Sequence, residues 1–274
     1  MSRNAATFAA LLCALTVVWN TAWAAPDGHC MAASEAGGCA KGRRTDADGI
    51  LLPGAHVYFS QPTRRYDHGI LGDDIEWGSL VWLRQGSAQH GPYALDEVKL
   101  PEHRVFEDIR PRLVDLDGDG TFEIIVIETH INKGAQLAVY ALDGMRLIKQ
   151  ASTPFIGRTH RWLAPLGAAD LDGDGHMEIA YIDRPHLAKT LRIWRYQNGK
   201  LTHVTDQPGL TNHRIGEDYI SGGIRTCATP PEIITTDASR TRMIASTLKD
   251  GRVITRDIGP HTGPDSYQAA LACQ

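Results

Sequence analysis

Apolar positions along this chain fall in short runs of four or five residues, either alternating with polar ones or continuous. Nowhere do they keep the three- and four-residue spacing of an amphipathic helix. Segments His56–Ser60, Leu80–Leu83, Glu123–Ile127, Leu137–Tyr140, Leu191–Trp194, Arg242–Ala245 and Arg252–Thr255 read as strands. The fold class expected from about Leu51 to Pro260 is therefore all-β. Tight-turn dipeptides punctuate these runs: Gln85-Gly86, Asp143-Gly144, Asn198-Gly199 and Asp250-Gly251 recur at intervals of 58, 55 and 52 residues. Asp-Gly and Asn-Gly between β runs signal hairpins because both residues tolerate positive φ. A second marker keeps the same period, with His103–Ile109, His160–Leu166 and His213–Tyr219 all beginning His-Arg, and His68–Ile75 a looser fourth. A repeated unit of this size, holding about four strands and ending in a hairpin, predicts a β-propeller blade. Four such blades fit the chain, and a fifth assembled from the chain ends is the alternative. A β-sandwich, the competing architecture, has no reason to keep a period.

The polar positions add a third marker in the same phase. Leu113–Ile127 (LVDLDGDGTFEIIVI) and Ala168–Ile182 (AADLDGDGHMEIAYI) carry the same acidic loop, starting at Asp115 and Asp170. Asp115, Asp117, Asp119 and Glu123 occupy positions 1, 3, 5 and 9 of the first; Asp170, Asp172, Asp174 and Glu178 occupy them in the second. Carboxylates alternating with glycines can wrap a hard cation in oxygen, and Ca²⁺ is the ordinary occupant of such loops. The expectation is two calcium sites, with a solvated Asp-Gly turn as the plainer alternative. An EF-hand is excluded, because its last carboxylate stands at position 12, where this chain has Val126 and Tyr181. In the last unit Ile234–Ile244 is expected to be the matching stretch; it keeps one acid and gains Arg240 and Arg242, so it should hold no cation.

The arrangement Asp-x-Asp-Gly-Asp-Gly-x-x-Glu-Ile, with a glycine hairpin about twenty residues later, resembles the FG-GAP and VCBS-like repeats of integrin α-chain propellers and of many exported bacterial proteins. The resemblance is strong over Arg110–Gln150 and Trp162–Thr205 and weaker in the flanking units. It implies a propeller with Ca²⁺ in the loop between adjacent strands of a blade, and main-chain oxygens of Thr121 and His176 completing the two shells. It implies no reaction.

The ends of the chain bear on its compartment. Arg3 precedes an apolar stretch from Ala5 to Val18, and the segment closes on Ala22-Trp23-Ala24, the pattern of a secretory signal with its cleavage site. Residues 1–24 are therefore set aside, 25–50 read as an extension, and 51–274 as one propeller domain in the periplasm or outside the cell. No second apolar span follows. Four cysteines remain, Cys30, Cys39, Cys227 and Cys273, and an even count in an exported chain favours disulfides over thiols. Of the three possible connectivities, Cys30–Cys39 with Cys227–Cys273 closes the most local loops; a zinc site lacks any Cys-x-x-Cys spacing. The formal net charge of −4, with both signs interspersed, does not suit nucleic acid. The chain is expected to be a monomer.

The His-Arg motifs are the other candidate site. If the units are equivalent, His68, His103, His160 and His213 come round to one height about the axis, beside Arg104, Arg161 and Arg214. Such a ring could bind an anionic or sugar ligand, hold a metal or move protons. It could equally cap blade edges. His130 and His186 recur one strand after each acidic loop and read as surface-loop histidines. No Gly-x-Ser-x-Gly, His-Glu-x-x-His or unpaired cysteine supports a hydrolase. The reading is a binding or scaffold module for a protein, small-molecule or carbohydrate ligand, and the alternative is a periplasmic lyase or hydrolase.

Overall fold

The computed structural model describes residues 23–24, 30–31, 50–52, 55–85, 93–227 and 229–273. Most of the secretory-signal segment and the Cys30–Cys39 pairing lie outside the described residues. A short pair, β1 (Trp23–Ala24) and β2 (Cys30–Met31), precedes four sheet units. Unit I is β3 (Ile50–Leu52), β4 (Ala55–Thr63), β5 (Glu76–Gln85) and β6 (Tyr93–Lys99). Unit II is β7 (Arg104–Phe106), β8 (Arg112–Val114), β9 (Glu123–His130), β10 (Gly134–Asp143) and β11 (Arg146–Ser152). Unit III is β12 (Leu163–Ala169), β13 (Met177–Asp183), β14 (Thr190–Gln197) and β15 (Lys200–Pro208). Unit IV is β16 (Leu210–Thr211), β17 (Gly223–Arg225), β18 (Glu232–Asp237), β19 (Arg242–Lys249) and β20 (Arg252–Pro260).

Each unit is an antiparallel meander. In units II and IV the first strand is broken: β7 and β8 both pair with β9, and β16 and β17 both pair with β18. In unit III the first strand is continuous but bulged between Pro165 and Gly167, where proline has no N–H to give the ladder. A bulge also recurs on the fourth strand of units II, III and IV, where Gln150, Val204 and Ile258 are the extra residues opposite Val139/Tyr140, Ile193/Trp194 and Met243/Ile244. The repeat is thus present in backbone irregularities as well as in sequence. Units I and II share one sheet, because Trp77 of β5 pairs with Phe106 of β7.

The turns obey their residues. Asn198-Gly199 and Asp250-Gly251 each have two positive φ values (51° and 69°, 51° and 71°), as a type I′ hairpin requires. At the other two the expectation shifts. Asp143 pairs with Arg146, so that turn is Gly144-Met145, and Gln85 pairs with Tyr93, so Gln85-Gly86 is not a two-residue hairpin.

Side chains on facing sheets fill the spaces between units. Phe59, Trp77, Phe106 and Ile124 pack between I and II; Ile125, Leu137, Trp162 and Tyr181 between II and III; Leu171, Ile182, Leu191 and Ile233 between III and IV. The outward face of unit IV, with Ile234, Met243 and Ala245, is covered by α1 (Pro264–Leu271) through Tyr267 and Ala270. The expectation of a helix-free chain missed α1. Its signal was local, a proline at the first turn followed by Asp265, and eight residues are too few to show an apolar stripe. The Cys227–Cys273 disulfide, separated by 46 residues, ties the end of α1 to unit IV as expected.

Candidate functional site

Chain direction sorts the two candidate features to opposite ends of the strands. In a meander, the loop after the first strand and the hairpin after the third lie at one end. The acidic loops and the Asn-Gly and Asp-Gly hairpins share it. The connection after the second strand and the one between units lie at the other, which carries the histidines.

At the acidic end, positive φ at Gly118 and Gly120 (75° and 85°), and at Gly173 and Gly175 (79° and 88°), curls each loop back on its first aspartate. Asp115 accepts the N–H groups of Gly118 and Gly120 at 2.7 and 3.0 Å; Asp170 accepts those of Gly173 and Gly175 at 2.7 and 3.0 Å. The closing glutamates, both buried, accept the N–H of Leu116 (2.7 Å) and Leu171 (2.9 Å). Carboxylate oxygens of Asp115, Asp117 and Glu123 lie within 4.8 Å of one another, as do those of Asp170, Asp172 and Glu178. Asp119 instead caps the Thr121 N–H and hydroxyl, at 2.7 and 2.5 Å. Asp174 accepts the His176 N–H at 3.0 Å, and the His176 ring lies beside Gln197. All-oxygen donor sets of this kind fit a hard cation. Burial pushes the Glu123 carboxyl up, and the like charges of Asp117, Asp119 and Asp115 add to that.

The two loops differ in one neighbour. Glu178 on β13 faces Arg195 on β14, whose guanidinium reaches Asp172, Asp174 and Glu178 at 2.6, 2.7 and 2.6 Å. In unit II the register Ile124↔Tyr140 puts Ala141 opposite Glu123. Burial also raises the Glu178 carboxyl, but Leu171 and Arg195 work against it. Sequence alignment of the units missed Arg195 because it lies on another strand; its signal was a cationic residue at strand register opposite the last acid of the loop.

Unit IV corrects the expected correspondence. Ile234–Ile244 spans the end of β18, the next turn and the start of β19, so it is not the counterpart of the acidic loops. That counterpart is the connection 226–231 between β17 and β18, which holds Cys227. A covalent tie stands where units II and III have loop aspartates, while the closing acid is kept as the buried Glu232, which bonds Arg225 and Arg256.

At the other end the histidines form three groups, not one ring. His68 and His160 lie face to face with ring centres 5.0 Å apart, and Tyr66 touches both. His68 Nδ1 is hydrogen-bonded to the buried Glu107, which also accepts the Thr129 hydroxyl, while the Glu107 carbonyl accepts the Trp162 indole N–H at 2.9 Å. Burial pushes the Glu107 carboxyl up, against the pull of His68 and Thr129.

His213 pairs with His186, Nδ1 to Nε2 at 3.1 Å, and its Nε2 bonds the Glu217 carbonyl at 3.0 Å. The ring centres are 5.2 Å apart and the planes differ by 11°. That spacing is nearly the nitrogen–nitrogen distance plus a ring radius at each side, so the rings meet edge to edge and are not stacked. Since a carbonyl only accepts, neutral His213 carries its proton on Nε2, and His186 donates to His213 Nδ1. Burial, then His213 and Arg240, push His186 down to about 4. His103 instead meets His130 (5.0 Å), and Arg104 lies over Phe155 and reaches Glu128 at 3.4 Å. Arg161 bonds the His160 carbonyl, and the exposed Arg214 gives its backbone N–H to Glu217. His103 and His160 precede the first strand of their units, whereas His213 lies in the break after β16, which is why it finds a different neighbour.

A cleft of about 740 Å³ between β20 and α1 includes Arg225, Arg256 and Asp257 in its wall. It adjoins neither end's chemistry, and both arginines already bond Glu232.

Residues 115–181, from the first aspartate of one loop to β13 beyond the other, match the model of the FG-GAP-like repeat. The chain carries an FG-GAP-like repeat. The matched segment covers both acidic loops. No curated protein matches the chain. Among solved structures it is similar to a protein from Lactobacillus plantarum, at 14% identity and a TM-score of 0.41, covering 75% of this chain and 54% of that one. It is also similar to an exo-β-1,3-galactanase from Phanerochaete chrysosporium with β-1,3-galactotriose, at 10%, 0.43, 87% and 53% respectively. A third is a Xanthomonas type IV secretion system related protein, at 11%, 0.32, 76% and 91%. The chain spans about half the length of the first two. Among the described residues no helix is long and apolar enough to cross a membrane.

Proposed function

We propose that this chain is an exported, calcium-stabilised binding module of the four-bladed propeller type, with the ion at the acidic end and a ligand at the histidine end. The observation that carries the calcium reading is Glu123. It is 3% exposed, one oxygen is held by the Leu116 N–H, and the other has no hydrogen-bond partner among the described residues while facing Asp115 and Asp117. A buried carboxylate among like charges is costly, and a divalent cation removes that cost. Closure into a ring is supported by the Gly216 N–H to Ile70 carbonyl bond (3.1 Å), which joins the loops of units IV and I. Export is supported by the leading segment and by the Cys227–Cys273 bond.

The ligand is read from the surroundings of the histidines. Lys133, Arg158, Arg161 and Arg214 make no ion pair among the described residues, and Leu187 (61% exposed) and Ile215 (71%) flank His186 and His213. Cations beside exposed apolar groups suit an anionic ligand, small or carbohydrate, or an acidic protein surface. Calorimetric titration of the calcium-free mature chain is expected to show saturable Ca²⁺ binding that the Asp117→Asn/Asp172→Asn double variant loses; a flat titration contradicts the reading.

A second reading, a lyase or hydrolase, is favoured by the Glu107–His68 pair, since a buried carboxylate orienting an imidazole is how a general base is held. Incubation of the mature chain with anionic oligosaccharides separates the two: an enzyme shows turnover that His68→Gln and Glu107→Gln each abolish, and a binding module shows binding without turnover.

A further inference from the structure

Every carboxylate of the 170–178 loop except Asp170 is bonded by one cation of the same chain. Arg195 projects from β14 opposite Glu178, with Nε 2.6 Å from Glu178 Oε1, Nη2 2.6 Å from Asp172 Oδ2 and Nη1 2.7 Å from Asp174 Oδ2. These are charge-assisted distances, and the planar guanidinium can meet three carboxylates at once. Asp170 is already satisfied by N–H groups of Gly173, Asp174 and Gly175. Of the loop's carboxylate oxygens only Asp172 Oδ1 is left buried without a partner. The 115–123 loop has the same backbone and the same acids but Ala141 in the matching place.

Resting on the calcium reading above, we propose that Arg195 is the resident counter-ion of the 170–178 loop. The chain then takes Ca²⁺ at one loop only, and the second loop folds without the metal. For an ion to enter there, three short ion pairs must break and a guanidinium must leave, whereas in the first loop the ion meets carboxylate oxygen that no cation among the described residues has claimed. The repeat thus contains one loop that responds to calcium and one that carries its charge compensation internally.

The test is binding stoichiometry, read by calorimetry with Ca²⁺ and by Tb³⁺ luminescence sensitised through nearby aromatic residues, near pH 7. Wild type is expected to take up one equivalent, lost in Asp117→Asn and kept in Asp172→Asn. Arg195→Gln is expected to take up two. Arg195→Lys, which keeps the charge but cannot meet three carboxylates together, should bind the second ion at least tenfold more weakly than Arg195→Gln does. Two equivalents of comparable affinity in wild type would overturn the proposal and leave the calcium reading standing. No uptake by wild type would overturn the calcium reading, and Arg195 would then be judged on its own: one equivalent in Arg195→Gln supports it, and none refutes it.

Discussion

Units II and III have the same strand order, the same bulge on the fourth strand and the same glycine-curled loop, yet they balance the loop's negative charge in different ways. In unit III a guanidinium from the neighbouring strand does it; in unit II the position is Ala141, and a buried glutamate is left with an oxygen that no cation among the described residues reaches. Unit IV has no aspartate there, keeps the closing acid as Glu232 paired with Arg225 and Arg256, and has a disulfide. One repeat therefore has three versions of the turn between its first and second strands: carboxylates open to the proposed ion, carboxylates met by an internal cation, and a covalent bond. A motif shared in sequence specifies the loop's path but not the source of its counter-charge, which depends on one residue opposite the last acid.

The two largest expected effects are of similar size, and one of them comes from removing the internal cation. Arg195→Ala leaves the buried Glu178 facing Asp172 uncompensated, and loss of one partner of a buried pair costs about 3–5 kcal/mol; with a partly solvated guanidinium the lower figure applies. Chemical denaturation in EDTA should show that loss, and millimolar Ca²⁺ should restore part of it. Absence of any calcium rescue would break the equivalence between the two loops. Reducing Cys227–Cys273, which closes a loop of 46 residues, should cost about 3–4 kcal/mol on chain-entropy grounds. Because no metal is involved, the loss should be the same in EDTA and in Ca²⁺.

Smaller effects of opposite sign sharpen the comparison. Glu123→Gln keeps an acceptor for Leu116 and removes a repelled charge, so in EDTA it should raise stability by roughly 1 kcal/mol and abolish the calcium response. Glu178→Gln strands part of the Arg195 network and should lower stability by about as much. The smallest effect is in pH. Because the folded, calcium-free chain holds the Glu123 carboxyl above its ordinary 4.5, it binds that proton more tightly than the unfolded chain does. The resulting stabilisation is complete below 4.5 and is lost as pH rises through the raised folded value. Melting in EDTA should follow that slope in wild type and lose it in Glu123→Gln; equal slopes in the two would contradict the assignment.

Much of the fold was legible before any coordinates. The strand runs were set by short apolar segments, and Asn198-Gly199 and Asp250-Gly251 form the I′ turns that their residue types demand. What was hidden depends on register between strands. Ile234–Ile244 resembled the acidic loops in spacing from its neighbours, but pairing puts 226–231 in that place. The histidine ring was expected from phase alone, and a two-residue strand followed by a break in unit IV was enough to turn His213 toward His186. Arg195 was invisible for the same reason, since cross-strand neighbours do not appear in a linear motif. Sequence spacing finds a repeat; only pairing shows which residues face its loops.

The most direct test is thermal melting of the oxidised mature chain in EDTA and in millimolar Ca²⁺, with Asp117→Asn and Asp172→Asn measured alongside. For calcium at a thousandfold over its dissociation constant, the linkage is worth about 4 kcal/mol, or roughly 8–16 °C for a chain of this size. The account predicts that wild type and Asp172→Asn show that rise and Asp117→Asn does not. A rise that survives Asp117→Asn, or no rise in wild type, would contradict it.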